Sequence, residues 1–207
     1  MYNHFFKRLF DILLSAVGLI LLLPILLLIS LAIKLDSPGP VMFRQKRIGC
    51  HKKTFYILKF RSMDKDSPRD LPTHLMTDAD LHLTRVGKVL RKASLDELPQ
   101  LINILCGQMS IVGPRPALWN QDDLIAARDL YGANDVLPGL TGWAQINGRD
   151  ELEIAEKAAL DGEYVRKMSF LFDCKCFFGS FSAVFTHKGF VEGGTGAKDG
   201  QNGQNKK

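Results

Sequence analysis

From Ile12 to Ile33 the chain runs for 22 residues without a charge, between Asp11 and Lys34. As a straight helix this run would rise about 33 Å, enough to cross a hydrocarbon core of about 30 Å. It is too long for a signal-peptide core, and no small-residue cleavage site follows it. Lys7 and Arg8 precede the run, while Lys34, Arg44, Lys46, Arg47, Lys52, Lys53, Lys59 and Arg61 follow it. Both ends therefore read as cytoplasmic by the positive-inside rule. Pro24, near the middle, removes a helical hydrogen bond and clashes with the preceding turn. The favoured reading is a re-entrant helix-break-helix over residues 1–36 that dips into one leaflet and returns; a kinked spanning anchor is the alternative.

Beyond the turn cluster at residues 36–40 the polar pattern shortens. Residues 41–46 and 53–60 read as strands around Gly49, and residues 64–80 as an acid-rich exposed loop. Amphipathic spacing predicts helices over 81–92, 95–105, 121–131 and 152–168, with a short strand at 109–112. Residues 138–149 form a glycine-rich loop able to bring backbone N–H groups close to a ligand, or a plain turn around a buried Trp143. The phenylalanine-rich stretch 169–187 reads as a core or membrane-interface helix, with the interface favoured. Residues 191–207 form a disordered tail. The expected class is α+β: a membrane hairpin (1–36) and a small, mostly helical cytosolic domain (37–190) with short strands and interfacial amphipathic helices.

Composition adds one asymmetry. Residues 1–61 carry ten Lys/Arg against Asp11 and Asp36, a surplus of +8, whereas the remainder is −3. The basic surplus thus sits beside the apolar run, where anionic headgroups would meet it. Cys50, Cys106, Cys174 and Cys176 form no CxxC pair, so reduced thiols are expected rather than a zinc site.

The candidate chemistry lies between Ser94 and Pro116. Ser94 followed by Glu97 is a capping-box pattern, which places Asp96 in a first helical turn that attracts anions. A carboxylate and a phosphate in the same place repel by roughly 4 kcal/mol at 4 Å and an effective dielectric of about 20. Arg91, Lys92 and Arg115 are close enough in sequence to offset that, and a divalent ion would offset more. The plain alternative makes Glu97 a cap and Asp96 a first-turn acid.

Six ordered motifs together resemble the bacterial sugar transferase family of monotopic phosphoglycosyl transferases. They are Lys7-Arg8-x-x-Asp11, Phe43-Arg44-Gln45-x-Arg47-x-Gly49, Lys59-Phe60-Arg61-Ser62-Met63, Ser94 to Gln100, Gly113-Pro114-Arg115-Pro116 and the loop from Pro138 to Arg149. The resemblance implies transfer of a sugar 1-phosphate from a UDP-sugar to undecaprenyl phosphate, with release of UMP. Asp96 would match the nucleophile, and Glu97 a magnesium ligand or an acid/base partner, with Mg2+ at Asp96 and Glu97. Arg91 and Arg115, the latter between Pro114 and Pro116, would neutralise phosphate oxygens. Thr141, Gly142 and Gln145 would serve the nucleotide, Arg149 would bind substrate from the same loop, and Lys59 and Arg61 would serve the lipid's phosphate. Lys7, Arg8 and Pro24 would belong to the membrane segment.

One departure is Leu23, where some small members have Ser before the proline to help hold the kink. The implied location is the cytosolic face of the bacterial inner membrane, with membrane lipids as partners and no nucleic acid; a homodimer is left open. Two rivals stand beside this reading. One is a membrane-bound nucleotide-sugar phosphohydrolase, the other a non-enzymatic membrane-anchored binding protein.

Overall fold

The computed structural model describes residues 2–64, 67, 82–148 and 152–186. The predicted acidic loop lies mostly, and the tail and Arg149 lie wholly, outside the described residues.

The apolar run forms the interior of helix α1 (Lys7–Asp36), which follows a π-helical turn at Tyr2–Phe6. Against expectation, α1 continues through Pro24 without a break in helical structure. One lost amide donor is outweighed by the helical bonds on either side, and a proline within a long apolar helix is tolerated where neighbours support it. Such support runs along one stripe of α1. Asp11 and Ser15 are buried, a Cβ at Gly18 would lie 3.4 Å from Leu101, and Leu19 and Leu22 pack on the main core. Farther along, Ile29 and Ile33 are buried with Phe60 and Leu90, and Asp36 accepts the Val86 N–H at 3.0 Å. Most of the remaining surface in the middle of the helix is apolar and exposed; Ile20 and Leu21 are each 72% exposed. Length and composition would let α1 cross a membrane.

Strands β1 (Met42–Ile48) and β2 (Thr54–Phe60) form an antiparallel hairpin with Phe43 opposite Lys59 and Arg47 opposite Phe55. Helix α2 (Arg85–Lys92) starts later than the predicted range, because Thr84 caps it, its hydroxyl accepting the Gly87 N–H at 2.9 Å. Gly87 has no side chain for a steric reason: a Cβ there would sit 1.9 Å from the Ser62 carbonyl oxygen.

The predicted helix 95–105 is split into a 3-10 turn at Leu95–Glu97 and helix α3 (Gln100–Leu105), separated by Leu98 and Pro99. The capping box does not form either. Ser94 adopts a left-handed conformation (φ 54°) with no side-chain cap, and reverses the chain sharply out of α2. Asn103 on α3 fastens it to β2, accepting from Leu58 N–H at 2.9 Å and donating to the Tyr56 carbonyl at 2.8 Å.

Strand β3 (Ser110–Val112) follows, then α4 (Asp122–Asp129), β4 (Gly139–Thr141), the single turn α5 (Trp143–Ile146), α6 (Ile154–Lys167) and α7 (Phe170–Thr186). β3 and β4 pair in parallel. The glycine-rich loop therefore supplies a strand that alternation in the sequence did not reveal, because three residues are too few to show a period. The main core gathers Phe55, Ile57, Ile104, Met109, Val112, Tyr164 and Cys176, so α1, the hairpin, α3, β3, α6 and α7 share one interior. Arg128 and Asp161, both nearly inaccessible, join α4 to α6 through contacts of 2.6 and 2.8 Å.

Candidate active site

Asp96 and Glu97 stand in the 3-10 turn between the left-handed Ser94 and α3, with only 7% and 8% of their surface exposed. Glu97 does not fold back onto the backbone as a cap. Its Oε1 accepts from Lys59 Nζ at 2.8 Å and from Arg115 Nη2 at 2.7 Å, and its Oε2 lies 3.5 Å from Arg115 Nη1. Lys59 comes from the end of β2 and Arg115 from the loop after β3. Three segments distant in sequence thus converge on one carboxylate.

Burial pushes the Asp96 carboxyl above its ordinary value of 3.8, and the charge of Glu97 pushes it the same way, while Lys59, Arg91 and Arg115 pull it down. Burial also lowers the Lys59 ammonium, although Glu97 works to keep it charged. A carboxylate removed from water beside three cations and one anion is reactive and electrostatically strained; it is suited to attack an electrophile that carries negative charge of its own. The acid limb of kcat/KM is expected to lie above the usual aspartate range, and Lys59→Met to move it higher still. For stability the sign is negative: between the unfolded and the raised folded pKa the folded state holds more protons, so stability falls as pH rises through that window. A pH–rate profile of the two proteins checks the first, and thermal unfolding against pH the second.

The Arg115 loop is positioned from two sides. Arg47 on β1 donates to the Pro116 carbonyl at 3.0 Å and is itself steered by the buried Gln45 at 3.1 Å. On the other side Gly113 N–H donates to Thr141 O, and Gly139 N–H to Pro114 O, both at 2.8 Å. The glycines make this approach possible: a Cβ at Gly139 would fall 2.1 Å from Gly113 N, and one at Gly142 2.1 Å from Gly113 O. Their role here is close backbone packing behind the Arg115 loop.

Other expected site residues fall differently. Arg91 donates to Ser62 Oγ at 2.9 Å and acts on Asp96 through its charge. Arg61 does not face the acids. It is buried and clamps the end of α1, donating to Pro38 O at 2.8 Å, Ser37 O at 2.7 Å and Ser37 Oγ at 2.8 Å. Lys7 is buried inside the protein, bound to Asp173 and the Val112 carbonyl, and Arg8 donates to Ile104 O at 2.7 Å and Leu105 O at 3.0 Å. Both were expected to belong to the membrane segment and both lie on α1; carbonyls and a carboxylate of the body claim their charges because a docked helix end leaves those acceptors short of water. Thr141 and Gln145 are buried, and both polar side-chain atoms of Gln145 are without a hydrogen-bond partner among the described residues. Arg47 and Gln45 were legible only as part of a motif, since nothing in their spacing announces that they hold Pro116.

Among the described residues no group of three or more His, Cys, Asp or Glu side chains gathers to hold a metal. The carboxylates available there to an ion such as Mg2+, which takes one or two of them and completes its sphere with phosphate oxygens and water, are Asp96 and Glu97, and that of Glu97 already accepts from Lys59 and Arg115.

A family model described as bacterial sugar transferase matches residues 2–187. A UDP-glucose:undecaprenyl-phosphate glucose-1-phosphate transferase of Escherichia coli (strain K12) is 46% identical over 196 residues, covering 91% of this chain and 41% of that protein. An undecaprenyl-phosphate glucose phosphotransferase of Komagataeibacter xylinus is 44% identical over 183 residues, covering 83% of this chain and 34% of that protein. The chain thus spans less than half the length of these two relatives. The exopolysaccharide production protein ExoY of Sinorhizobium fredii is closer in size, 38% identical over 198 residues that cover 88% of this chain and 87% of its own.

Proposed function

This chain belongs to the bacterial sugar transferase family, and we propose that it moves a sugar 1-phosphate from a UDP-sugar to undecaprenyl phosphate, releasing UMP, in polysaccharide synthesis. The observation that carries this reading is the pair of buried acids at the point where Lys59, Arg91 and Arg115 converge. The relatives' names supply the donor and acceptor classes.

In the proposed reaction an Asp96 carboxylate oxygen attacks the sugar-bearing phosphorus of the donor. A P–O bond forms, the bond to the UMP oxygen breaks, and UMP leaves with that electron pair. Undecaprenyl phosphate then attacks the same phosphorus through one of its own oxygens, and Asp96 leaves as the carboxylate. Arg115 and Lys59, already within reach of Glu97, stabilise the charge on the transferring phosphoryl group. Glu97 holds these two cations in place and, with Asp96, would hold Mg2+. The ion, when bound, supplies further compensation of phosphate charge. Gln145 and Thr141 are proposed on the nucleotide side, and Arg91 on the phosphate side.

The proposed placement is monotopic, on the cytosolic face of the inner membrane. Both ends of α1 dock on the same body, through Asp11 on Ser110 and Ile111 and through Asp36 on Val86. A helix crossing the bilayer would carry its ends to opposite sides, so this docking supports a re-entrant or in-plane helix. The exposed Leu171 and Phe178 of α7 extend the apolar surface. Tags ahead of Lys7 and after α7 are expected to be reachable only from the cytosol; a periplasmic label on the first overturns this placement.

The deciding experiment incubates the protein with Mg2+ and a panel of UDP-sugars, with and without undecaprenyl phosphate, and follows UMP. UMP formed in step with a lipid-linked sugar phosphate is the expected result. UMP with no need for lipid points instead to the phosphohydrolase, and none from any donor to a protein that binds membranes without this chemistry.

A further inference from the structure

β3 has two edges, and among the described residues only one has a strand on it, β4. Along the other edge, side chains take the place of a strand. Asp11 Oδ1 accepts the Ile111 N–H at 2.9 Å and the Ser110 hydroxyl at 3.0 Å. The Val112 carbonyl lies 2.9 Å from Lys7 Nζ and 3.0 Å from the Tyr164 hydroxyl. Lys7 Nζ also donates to Asp173 Oδ2 at 2.7 Å, the single Tyr164 hydroxyl proton is shared between the Val112 carbonyl and Asp173 Oδ1 at 2.8 Å, and Tyr2 adds its hydroxyl to Oδ2 at 2.6 Å. Asp11, Lys7, Tyr164 and Asp173 are all buried, so water cannot replace any of these partners.

Val112 is followed directly by Gly113-Pro114-Arg115. Little slack separates the clamp from the arginine. Gly113 is wedged against the backbones of Gly139 and Gly142, with no space for even a Cβ, and Pro114 fixes its own φ. A displacement of the Val112 carbonyl therefore passes to Arg115 and to its 2.7 Å contact with Glu97.

We infer that Lys7, Asp11, Tyr164 and Asp173 are positioning residues, a clamp on the free edge of β3 that sets the placement of Arg115 and ties it to the docking of α1 and α7. The apolar helix thereby serves the site as well as the membrane. Its correct seating brings Lys7 and Asp11 onto β3, and the transferring phosphate meets Arg115 in its working position only then. The inference rests on the proposed function for its catalytic consequence, and on geometry alone for the clamp.

The test pairs Tyr164→Phe, which removes one hydroxyl, with Lys7→Met as a second variant, each alone and combined with Arg115→Ala. In the wild-type background kcat is expected to fall about five- to tenfold, with KM for undecaprenyl phosphate unchanged. In the Arg115→Ala background the further loss is expected to be less than about twofold, because the residue through which the clamp acts is gone. A general loosening would instead multiply the two losses, and that result overturns the inference.

Amide exchange supplies a readout that needs no substrate. Faster exchange is expected over residues 109–118 in both variants with α4 unchanged, whereas unchanged exchange there, or acceleration everywhere, overturns the clamp. A wild-type protein that releases no UMP defeats the proposed function, and the exchange result still decides the clamp.

Discussion

Asp96→Asn is expected to abolish transfer, lowering the rate of UMP release by at least about 10⁴-fold, in a protein that remains folded. Asparagine matches the volume of the acid, so the 3-10 turn at Leu95–Glu97 keeps its packing. It lacks the anionic oxygen that attacks phosphorus, and its amide cannot form the phosphosugar ester. Folding does not suffer in proportion, because the buried Asp96 carboxylate is disfavoured by desolvation and by Glu97 in the native state. The thermal midpoint is therefore expected to stay level or rise. Intact mass after mixing with a UDP-sugar in the absence of lipid makes the comparison direct: a phosphosugar adduct on the wild type and none on the variant. An adduct on Asp96→Asn would move the nucleophile to another residue.

Arg115→Ala is expected to lower kcat/KM for the UDP-sugar by about 10²- to 10³-fold, the range for removing one charged group from a preorganised site. KM for undecaprenyl phosphate should change by less than about twofold if Arg115 serves the transferring phosphate rather than the carrier. The guanidinium makes a 2.7 Å ion pair with Glu97 Oε1 and opposes the rise that burial gives the Asp96 carboxyl, so its loss acts on charge compensation and on the nucleophile together. Arg115→Lys should recover part of the loss, since it restores the charge without the planar two-pronged geometry. A selective rise in the lipid KM would place Arg115 at the carrier site instead.

The residues of the site were legible in unequal degree, and the reasons are physical. Asp96 and Glu97 stood out because adjacent acids at a helix start are a local arrangement, and local geometry follows from spacing. The apolar run stood out because 22 uncharged residues have few other uses in water. The partners of Glu97 were not legible in the same way. Lys59 reaches it across 38 positions and Arg115 across 18, separations over which no periodicity operates. Ser94 illustrates a local signal overruled: its capping pattern was sound, yet the turn out of α2 demanded a left-handed residue and Glu97 found stronger partners in two cations.

The family, the position of the apolar segment and the approximate order of helices and strands were legible in the sequence alone, because each depends on composition, short-range spacing or ordered motifs; that the segment runs through Pro24 as one helix was not. Tertiary structure alone decided where the cations go. Basic residues look alike along a chain, and charge does not state whether it will meet a headgroup, a carbonyl or a carboxylate. Packing turned Arg61 toward the carbonyls at the end of α1, drew Lys7 inward to Asp173 and Val112, and left Lys59 and Arg115 on Glu97. A buried charge must find a partner within about 4 Å or forfeit several kcal/mol, and which partner lies that close is a property of the folded chain.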